Sequence, residues 1–422
     1  MSYFVIPASA KSWLPVSEGS DFPIQNLPYC TYIGERCEHG SIAIRLGDFV
    51  IDLYELSEAG LLPGFDDHFC IDLQETLEHG DKVSLARVRQ HLFELLREGD
   101  DRISGNTSLK EKAVLPIEQV EIVMPITPTA FVDFYSGIHH ASNVGKMFRP
   151  DQPPLLPNYR HVPIGYNGRA SSVVASGYDI RRPRVQTKAP DADAPSFGPT
   201  KELDFELELG FITGKGNEMG SPIGIDEAEN YIFGLVLVND WSARDTQRWE
   251  YQPLGPFLAK SFGTTISPYV VTLDALEPFR MQGMPQDPPP LAHLRPTKPS
   301  HYNIQLEVAI KTAKMTEPQV ICRSNAQNLY WSFVQQLAHQ ASNGTPVEAA
   351  DLYATGTISG TEEGSFGSLL ELTWRGTKPI TLSETGETRT FLEDGDEVIM
   401  TGYCQGDGYR IGFGECRGKI VS

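Results

Sequence analysis

Hydrophobic and polar residues follow two different periods in the first third of the chain. From residue 42 to residue 53 they alternate on either side of Gly47 and Asp48, which predicts a β-hairpin with its turn at this pair. From residue 81 to residue 98 apolar side chains recur at helical spacing, which predicts an amphipathic helix. The N-terminal part is therefore predicted to be a small unit that combines strands with a helix.

Strand-like apolar segments dominate the rest of the chain and are separated by many Gly and Pro residues. They cover residues 203–212, 231–239, 269–273, 302–310, 369–374 and 397–404. One helix is predicted among them, capped at its start by Ser324 or Asn325 and ended by the Ser-Asn-Gly sequence at 342–344. This larger part is therefore expected to be a strand-rich barrel, sandwich or roll.

A polar stretch followed by several prolines lies between residues 105 and 128 and marks the expected domain junction. We place an N-terminal domain at residues 1–124 and a C-terminal domain at residues 125–422. A chain of 422 residues is long enough for two or three domains and for a sizeable core.

The composition argues against several classes of partner. Lys and Arg number 35 against 55 Asp and Glu, and the resulting net charge of -20 repels nucleic acids and anionic lipid surfaces. The six cysteines form no C-x-x-C pair and are predicted to be reduced thiols. No apolar run approaches the ~20 residues that span a bilayer, and the N-terminus lacks an export signal. We therefore expect a cytoplasmic protein that binds neither nucleic acid nor membranes.

The most informative segment begins at Leu203 and alternates strictly between apolar and acidic residues. On a strand this alternation puts Asp204, Glu206 and Glu208 on one face. Periodicity alone favours a half-buried strand whose acidic face is in water, where repulsion between the carboxylates is screened. The alternative is a site for a divalent cation, because Mg²⁺ and Ca²⁺ bind carboxylate oxygens and need several of them.

Two further segments carry side chains of the kinds that catalytic sites use. The apolar segment 231–239 runs into Asp240, and Lys260 follows shortly. Taken alone, the acid could cap its own turn and the lysine could be a solvated surface charge. Residues 133–149 hold an acid, a phenol, two imidazoles and a guanidinium, which can bind metal, deprotonate water and hold a substrate carboxylate.

Several segments together resemble the fumarylacetoacetate hydrolase family, from about residue 21 to the C-terminus. They are residues 21–29, 133–149, 165–172, 205–209, 239–265 and 356–360. The resemblance implies a mainly β fold, with a small SH3-like N-terminal barrel and a larger mixed β-roll or sandwich C-terminal domain, assembled as a homodimer. One departure is visible at Asn167, where the family usually has a histidine, but this position is assigned no role.

The same resemblance implies a catalytic site around a divalent metal, Mg²⁺ or Ca²⁺. The implied metal ligands are Asp133, Glu206, Glu208 and Asp240, with Lys260 and Thr264 beside the metal. His140 is the implied general base and Glu371 its partner, with His139 as the second candidate for the base. The residues implied to stabilise an oxyanion are Arg244, Gln247 and Lys260. The implied substrate contacts are Tyr135, Arg149, Tyr166, Gln247, Tyr251 and Thr357.

The implied reaction is hydrolysis of a carbon–carbon bond in 4-fumarylacetoacetate to give fumarate and acetoacetate, the last step of tyrosine and phenylalanine catabolism. The metal would hold the diketo oxygens while His140 activates the attacking water. One alternative is an acylpyruvate hydrolase, lyase or decarboxylase of the same superfamily. Another is a non-catalytic β-rich protein in which the acids bind Ca²⁺ for stability alone.

Overall fold

The computed structural model describes residues 3–35, 37–63, 73–79, 82–189 and 191–422. The N-terminal strands are β1 (Tyr29–Gly34), β2 (Cys37–Leu46), β3 (Phe49–Asp52), β4 (Val114–Pro116) and β5 (Glu121–Val123). The N-terminal helices are α1 (Leu53–Glu58), α2 (Leu73–His79), α3 (Lys82–Leu96) and α4 (Thr107–Ala113). The five strands form one antiparallel sheet in the order β4-β3-β2-β1-β5.

Both sequence predictions for this N-terminal unit are confirmed. Strands β2 and β3 pair with Leu46 opposite Phe49, so the hairpin turns at Gly47, whose φ of +55° suits glycine. Helix α3 covers the predicted helical segment, although residue 81 at its expected start lies outside the described residues. Its apolar residues, including Leu92, pack into one core with the strands of the small sheet.

The larger part of the chain contains many short strands and five helices among its described residues. The strands are β6 (Phe131–Phe134), β7 (Gly165–Asn167), β8 (Val173–Ala175), β9 (Ile180–Arg181), β10 (Arg184–Thr187), β11 (Ser196–Pro199), β12 (Leu203–Asp204), β13 (Leu207–Thr213), β14 (Ile232–Asp240), β15 (Ser242–Ala243), β16 (Thr264–Ile266), β17 (Val271–Thr272), β18 (Arg280–Met281), β19 (His301–Tyr302), β20 (Gln305–Lys311), β21 (Gln319–Asn325), β22 (Leu352–Ala354), β23 (Ile380–Thr381), β24 (Thr388–Arg389), β25 (Glu397–Gln405) and β26 (Arg410–Val421). The helices are α5 (Ile138–Phe148), α6 (Arg244–Glu250), α7 (Leu273–Leu276), α8 (Phe333–Gln340) and α9 (Leu369–Leu372).

Two sheets dominate this part. The larger one is mixed and has the order β7-β6-β22-β13-β14-β16-β8, with β17 also paired to β14. The β6–β22 and β8–β16 pairs are parallel and the other pairs in this sheet are antiparallel. The second sheet has the order β21-β20-β25-β26-β9. A small antiparallel sheet joined to a larger mixed β domain confirms the predicted mainly β fold class.

Strand β14 shows how the large sheet is buried on both faces. Leu235 and Leu237 pack in the core that this sheet shares with β20, β25 and β26. Val236 and Val238 pack in the core that it shares with the N-terminal unit. Successive residues of a strand point to opposite faces, so a strand between two cores is a continuous apolar run. The middle of the large sheet is therefore a central layer, and the polar side chains of β13 and β14 are buried as well.

Five predicted segments differ from the structure. Residues 269–273 contain only the short strand β17 before helix α7 begins, and residues 302–310 divide between β19 and β20. Residues 203–212 form two strands, β12 and β13, with a break between them. The predicted helix begins at residue 333, because Ser324 and Asn325 end strand β21, and its cap is Ser332. Residues 369–374 contain the short helix α9 rather than a strand, since the Ser368 hydroxyl accepts the Glu371 N–H and starts a helical turn.

The described cysteines are free thiols, as predicted, and all but Cys37 are buried. Cys70, the sixth cysteine, lies outside the described residues. In the part of the chain that the structure describes, no helix combines the length and the apolar character that a membrane span requires.

Candidate metal and catalytic site

Four carboxylates meet at one end of the large sheet. Asp133 lies on β6, Glu208 on β13 and Asp240 at the end of β14, and their side chains alternate with residues that pack between the two sheets. They therefore emerge from the opposite face of the sheet. Glu206 lies at the break just before β13. One oxygen from each of the four carboxylates lies within 4.8 Å of the others.

The acidic face of the segment that begins at Leu203 is buried. Asp204 and Glu208 have no exposed surface and Glu206 exposes 4%. The interpretation favoured by periodicity alone, a strand with a solvated acidic side, is therefore wrong. It is wrong because strict alternation usually marks a sheet with one wet face, whereas this sheet lies between two cores.

The simpler interpretations of Asp240 and Lys260 are also wrong. The carboxylate of Asp240 does not cap its own turn, since it accepts hydrogen bonds from Lys260 Nζ at 2.7 Å and from Thr264 Oγ1 at 2.8 Å. Lys260 is buried, and its ammonium also donates to Glu206. Both residues are thus part of the acidic cluster.

Asp204 is outside the group of four and has a different task. Its carboxylate accepts Arg244 Nε at 2.8 Å and the N–H groups of Leu369 at 2.8 Å and Leu370 at 2.9 Å. Arg244 in turn donates from Nη1 to Glu206 at 2.7 Å. Asp204 therefore connects the acidic cluster to the first turn of helix α9. Sequence reasoning gave Asp204 no such role, because its partners lie far away along the chain.

We expect Asp204→Asn to destabilise the fold by about 3 kcal/mol, because it removes the buried charge that Arg244 and three backbone N–H groups share. Urea denaturation monitored by circular dichroism measures this change. The control is Glu202→Gln, which breaks a partly exposed ion pair with Arg248 and should cost less than about 1 kcal/mol. Equal losses in the two variants would show that Asp204 has no special structural importance.

Burial and mutual repulsion dominate the electrostatics of the cluster. Burial raises the pKa of Asp133, Glu208 and Asp240, and the neighbouring carboxylates raise it further. Burial would also raise the pKa of Glu206, but Lys260 and Arg244 hold it below its ordinary value. Burial alone would lower the Lys260 pKa, yet the surrounding acids raise it, so this side chain stays cationic.

The cluster has oxygens that the protein itself leaves unsatisfied. Asp133 Oδ1 and Glu208 Oε1 are buried and have no hydrogen-bond partner, whereas Glu208 Oε2 accepts the Gly356 N–H at 2.9 Å. A buried polar atom without a partner is costly, so these oxygens call for a ligand. Carboxylate oxygens in this number are the ligands of a hard divalent cation. The four acids therefore fit such an ion, with Lys260 and Thr264 beside it.

A histidine–glutamate pair lies close to the cluster. His140 is on helix α5, and its Nδ1 is 2.6 Å from Glu371 Oε2 on helix α9. Burial would raise the pKa of Glu371, but His140 and the hydrogen bonds from Asn143 and Ser359 lower it. An ionised carboxylate on Nδ1 fixes the tautomer that carries its proton there, which leaves Nε2 able to accept a proton.

One cavity of about 380 Å³ brings these groups together. It is lined by all six predicted substrate contacts and by Asp133, His140, Glu206, Arg244 and Lys260. Glu208, Asp240, Thr264 and Glu371 are buried and are not among the residues that line it. His139 is half-buried and is not among the cavity-lining residues, so its position does not favour it as the base.

The rest of the cavity wall is largely apolar. It includes Phe148, Leu155, Ile164, Leu254 and Leu370. Tyr159, which also lines the cavity, is a residue that sequence reasoning missed, and its buried hydroxyl has no hydrogen-bond partner. The cavity can therefore hold a small organic anion with a polar reacting end next to the acids and an unreactive chain against apolar side chains.

The fold and the site define a class of β-rich proteins in which a buried acidic centre, suited to a divalent cation, faces a cavity that also holds a paired histidine. Two family models match the chain: "Fumarylacetoacetase N-terminal" at residues 25–125 and "Fumarylacetoacetate (FAA) hydrolase C-terminal" at residues 129–421. The chain belongs to the fumarylacetoacetate hydrolase family.

Curated relatives are similar over almost the whole chain. The fumarylacetoacetase of Arabidopsis thaliana is 48% identical over 419 residues, which cover 98% of this chain and 99% of the relative. The human fumarylacetoacetase is 48% identical over 413 residues, which cover 97% of this chain and 98% of the relative. Among solved structures, a fumarylacetoacetate hydrolase from psychrophilic Exiguobacterium antarcticum matches with a TM-score of 0.52 and 16% identity, over 94% of this chain and 99% of that chain. This last likeness supports the fold alone.

Proposed function

We propose that the chain hydrolyses 4-fumarylacetoacetate to fumarate and acetoacetate, the last step of tyrosine and phenylalanine catabolism. Full-length relatives that are named fumarylacetoacetases support this substrate. The observation that carries the proposal is the 2.6 Å contact of His140 with Glu371, in a cavity whose wall also contains Asp133 and Glu206. Hydrolysis of a diketone needs a base for water and a positive centre for the developing charge, and this site provides for both.

His140 acts as the general base. It removes a proton from water at Nε2 while the water oxygen bonds to the carbonyl carbon on the fumaryl side. The bond from this carbon to the neighbouring methylene then breaks, and its electron pair goes to the acetoacetate fragment. The proton taken from water ends on that methylene carbon, so no further reactant is consumed. Glu371 stays ionised and stabilises the imidazolium that forms between these steps.

Negative charge develops on the attacked oxygen and on the departing fragment. Arg244, Gln247 and Lys260 line the cavity where this charge appears. Arg244 Nη1 donates to Gln247 Oε1 at 3.0 Å, which leaves the Gln247 amide N–H groups able to face substrate, and Arg244 Nη2 is buried without a partner. Asp133, Glu206, Glu208 and Asp240 would hold a divalent cation, which would supply Lewis-acid polarisation of the substrate when bound.

Other cavity residues hold the unreactive parts of the substrate. Arg149 Nε and Thr357 Oγ1 are buried donors without partners, so a substrate carboxylate that accepted from them would satisfy both sites. Tyr135, Tyr166 and Tyr251 add phenol groups around the same space. A ligand that accepts hydrogen bonds from these buried donors binds favourably, because the protein has already removed the donors from water.

The finer properties expected from the resemblance complete the proposal. The cation is Mg²⁺ or Ca²⁺, the enzyme is a cytoplasmic homodimer, and its substrate is a small diketo acid. The chain divides into domains at residues 1–124 and 125–422. The two matched family models, which meet between residues 125 and 129, support this division.

The test is to incubate the purified protein with fumarylacetoacetate and Mg²⁺ and to follow the loss of diketo absorbance with and without a chelator. We expect rapid loss with Mg²⁺ and arrest by the chelator, with fumarate and acetoacetate as products. No loss under either condition would contradict the proposal. Release of CO₂, or faster turnover of an acylpyruvate, would instead support one of the related activities. Thermal stabilisation by Ca²⁺ without turnover would indicate a structural site.

A further inference from the structure

The Glu371 carboxylate has four side-chain partners, of which His140 is only one. On one side, Glu371 Oε2 is 2.6 Å from His140 Nδ1 and accepts the hydroxyls of Ser359 and Ser368, each at 2.9 Å. On the other side, Oε1 accepts Asn143 Nδ2 at 3.0 Å. All of these groups are buried. The orientation of the Glu371 carboxylate relative to the imidazole therefore depends on the hydrogen bonds that both of its oxygens accept.

The two serines also contribute to local backbone structure. Ser368 caps helix α9, and the Ser359 hydroxyl accepts the Gly367 N–H at 2.9 Å. Asn143 differs from them, because it lies on helix α5 three residues after His140, on the same face of the helix. It thus joins the helix that carries the histidine directly to the carboxylate on α9.

This geometry gives Asn143 a specific effect on the imidazole. The Glu371 carboxylate can rotate about its Cγ–Cδ bond. Its partners His140, Ser359 and Ser368 all contact the same oxygen, Oε2. A donor on Oε1 fixes the plane of the group and so the direction from which Oε2 meets His140 Nδ1. The amide also adds a hydrogen bond to the ionised carboxylate, which favours its charged form.

We propose that Asn143 is a positioning residue for the reaction, which acts through Glu371 to hold the His140 imidazole in its proton-accepting orientation. This inference rests on the proposed function. It extends to a catalytic base the general observation that removing a group that orients a metal ligand changes metal affinity or activity by about 10–100-fold.

The test compares the full-length protein with Asn143→Ala in the presence of Mg²⁺. We expect kcat on fumarylacetoacetate to fall by about 10–100-fold with KM little changed, since Asn143 does not line the cavity. A second readout is the low-field proton resonance of the His140 Nδ1–H, assigned by its loss in His140→Ala. In Asn143→Ala this resonance should shift or broaden. Ser142→Ala, at the adjacent position of the same helix, should change neither quantity.

A near-isosteric variant, Asn143→Asp, separates the lost hydrogen bond from a lost volume. It keeps the shape but turns a donor into a second acid beside Glu371, so we expect a greater loss of kcat than in Asn143→Ala. This variant also decides the matter if Asn143→Ala does not fold. Wild-type kcat in a folded variant, or a reduced kcat with an unchanged resonance, would overturn the inference. If the wild-type protein itself did not turn over fumarylacetoacetate, the proposed function would fail, while the resonance would still report whether Asn143 holds the pair.

Discussion

His140→Ala is expected to reduce kcat by about 10²–10⁴-fold, the usual contribution of a general base, while divalent-cation binding persists. The two effects separate because the cation would be held by four carboxylates and the histidine is not one of its ligands. Fumarylacetoacetate turnover measures the first effect. The rise in melting temperature on addition of Mg²⁺ measures the second, because a ligand that binds only the folded state stabilises it.

The matched control is His139→Ala at the neighbouring position. His139 is half-buried, burial lowers its pKa, and it is not among the residues that line the cavity, so its removal should leave kcat close to that of the wild type. Glu371 keeps its bonds to Asn143, Ser359 and Ser368 when His140 is replaced, so the variant should still fold. If His139→Ala lost turnover and His140→Ala did not, the roles assigned to the two histidines would have to be exchanged.

Local sequence pattern was sufficient for the parts of the fold that depend on neighbouring residues. The hairpin at Gly47 follows from turn chemistry, and the apolar run of β14 follows from burial on both faces. The pattern could not show that the acids after Leu203 are buried. The same alternation describes a wet strand and a strand that carries a buried site, and the difference lies in what covers the sheet.

The prediction that the four acids converge came from the family resemblance and not from the hydrophobic pattern. Asp133 and Glu208 come to the same end of the sheet because β22 pairs with both β6 and β13. This pairing places a segment near residue 353 next to one near residue 132. No local period encodes such a pairing. The resemblance supplied these residues because relatives with nearly half of their residues identical share the fold.

Helix α9 illustrates why some elements could not be predicted. Its sequence, Leu-Leu-Glu-Leu, is short and apolar enough to suggest a strand, but Ser368 caps it and the Asp204 carboxylate accepts two N–H groups of its first turn. Tertiary contacts that satisfy backbone donors override weak local preference. Asn143 is a similar case, since its importance arises only when Glu371 is brought beside it.

Glu208→Gln is expected to remove most of the cation-dependent stabilisation and to reduce turnover by about 10²-fold or more, the equivalent of about 2.7 kcal/mol or more of lost charge stabilisation. The amide has nearly the shape of the acid, and its oxygen can still accept the Gly356 N–H. What it lacks is the negative charge at Oε1, one of the two cluster oxygens without a partner. The variant therefore tests the charge of the site with little change in packing.

In the presence of a chelator, Glu208→Gln should no longer be less stable than the wild type. Burial and the acids Asp133, Glu206 and Asp240 raise the Glu208 pKa, so its ionised form is costly without a cation, and Gln removes this cost. In a chelator the variant should melt no lower than the wild type. With Mg²⁺ at about 100 times its Kd, the wild type should gain about 2.7 kcal/mol and the variant far less. Glu202→Gln should respond to Mg²⁺ like the wild type, and a similar response from Glu208→Gln would exclude Glu208 as a ligand.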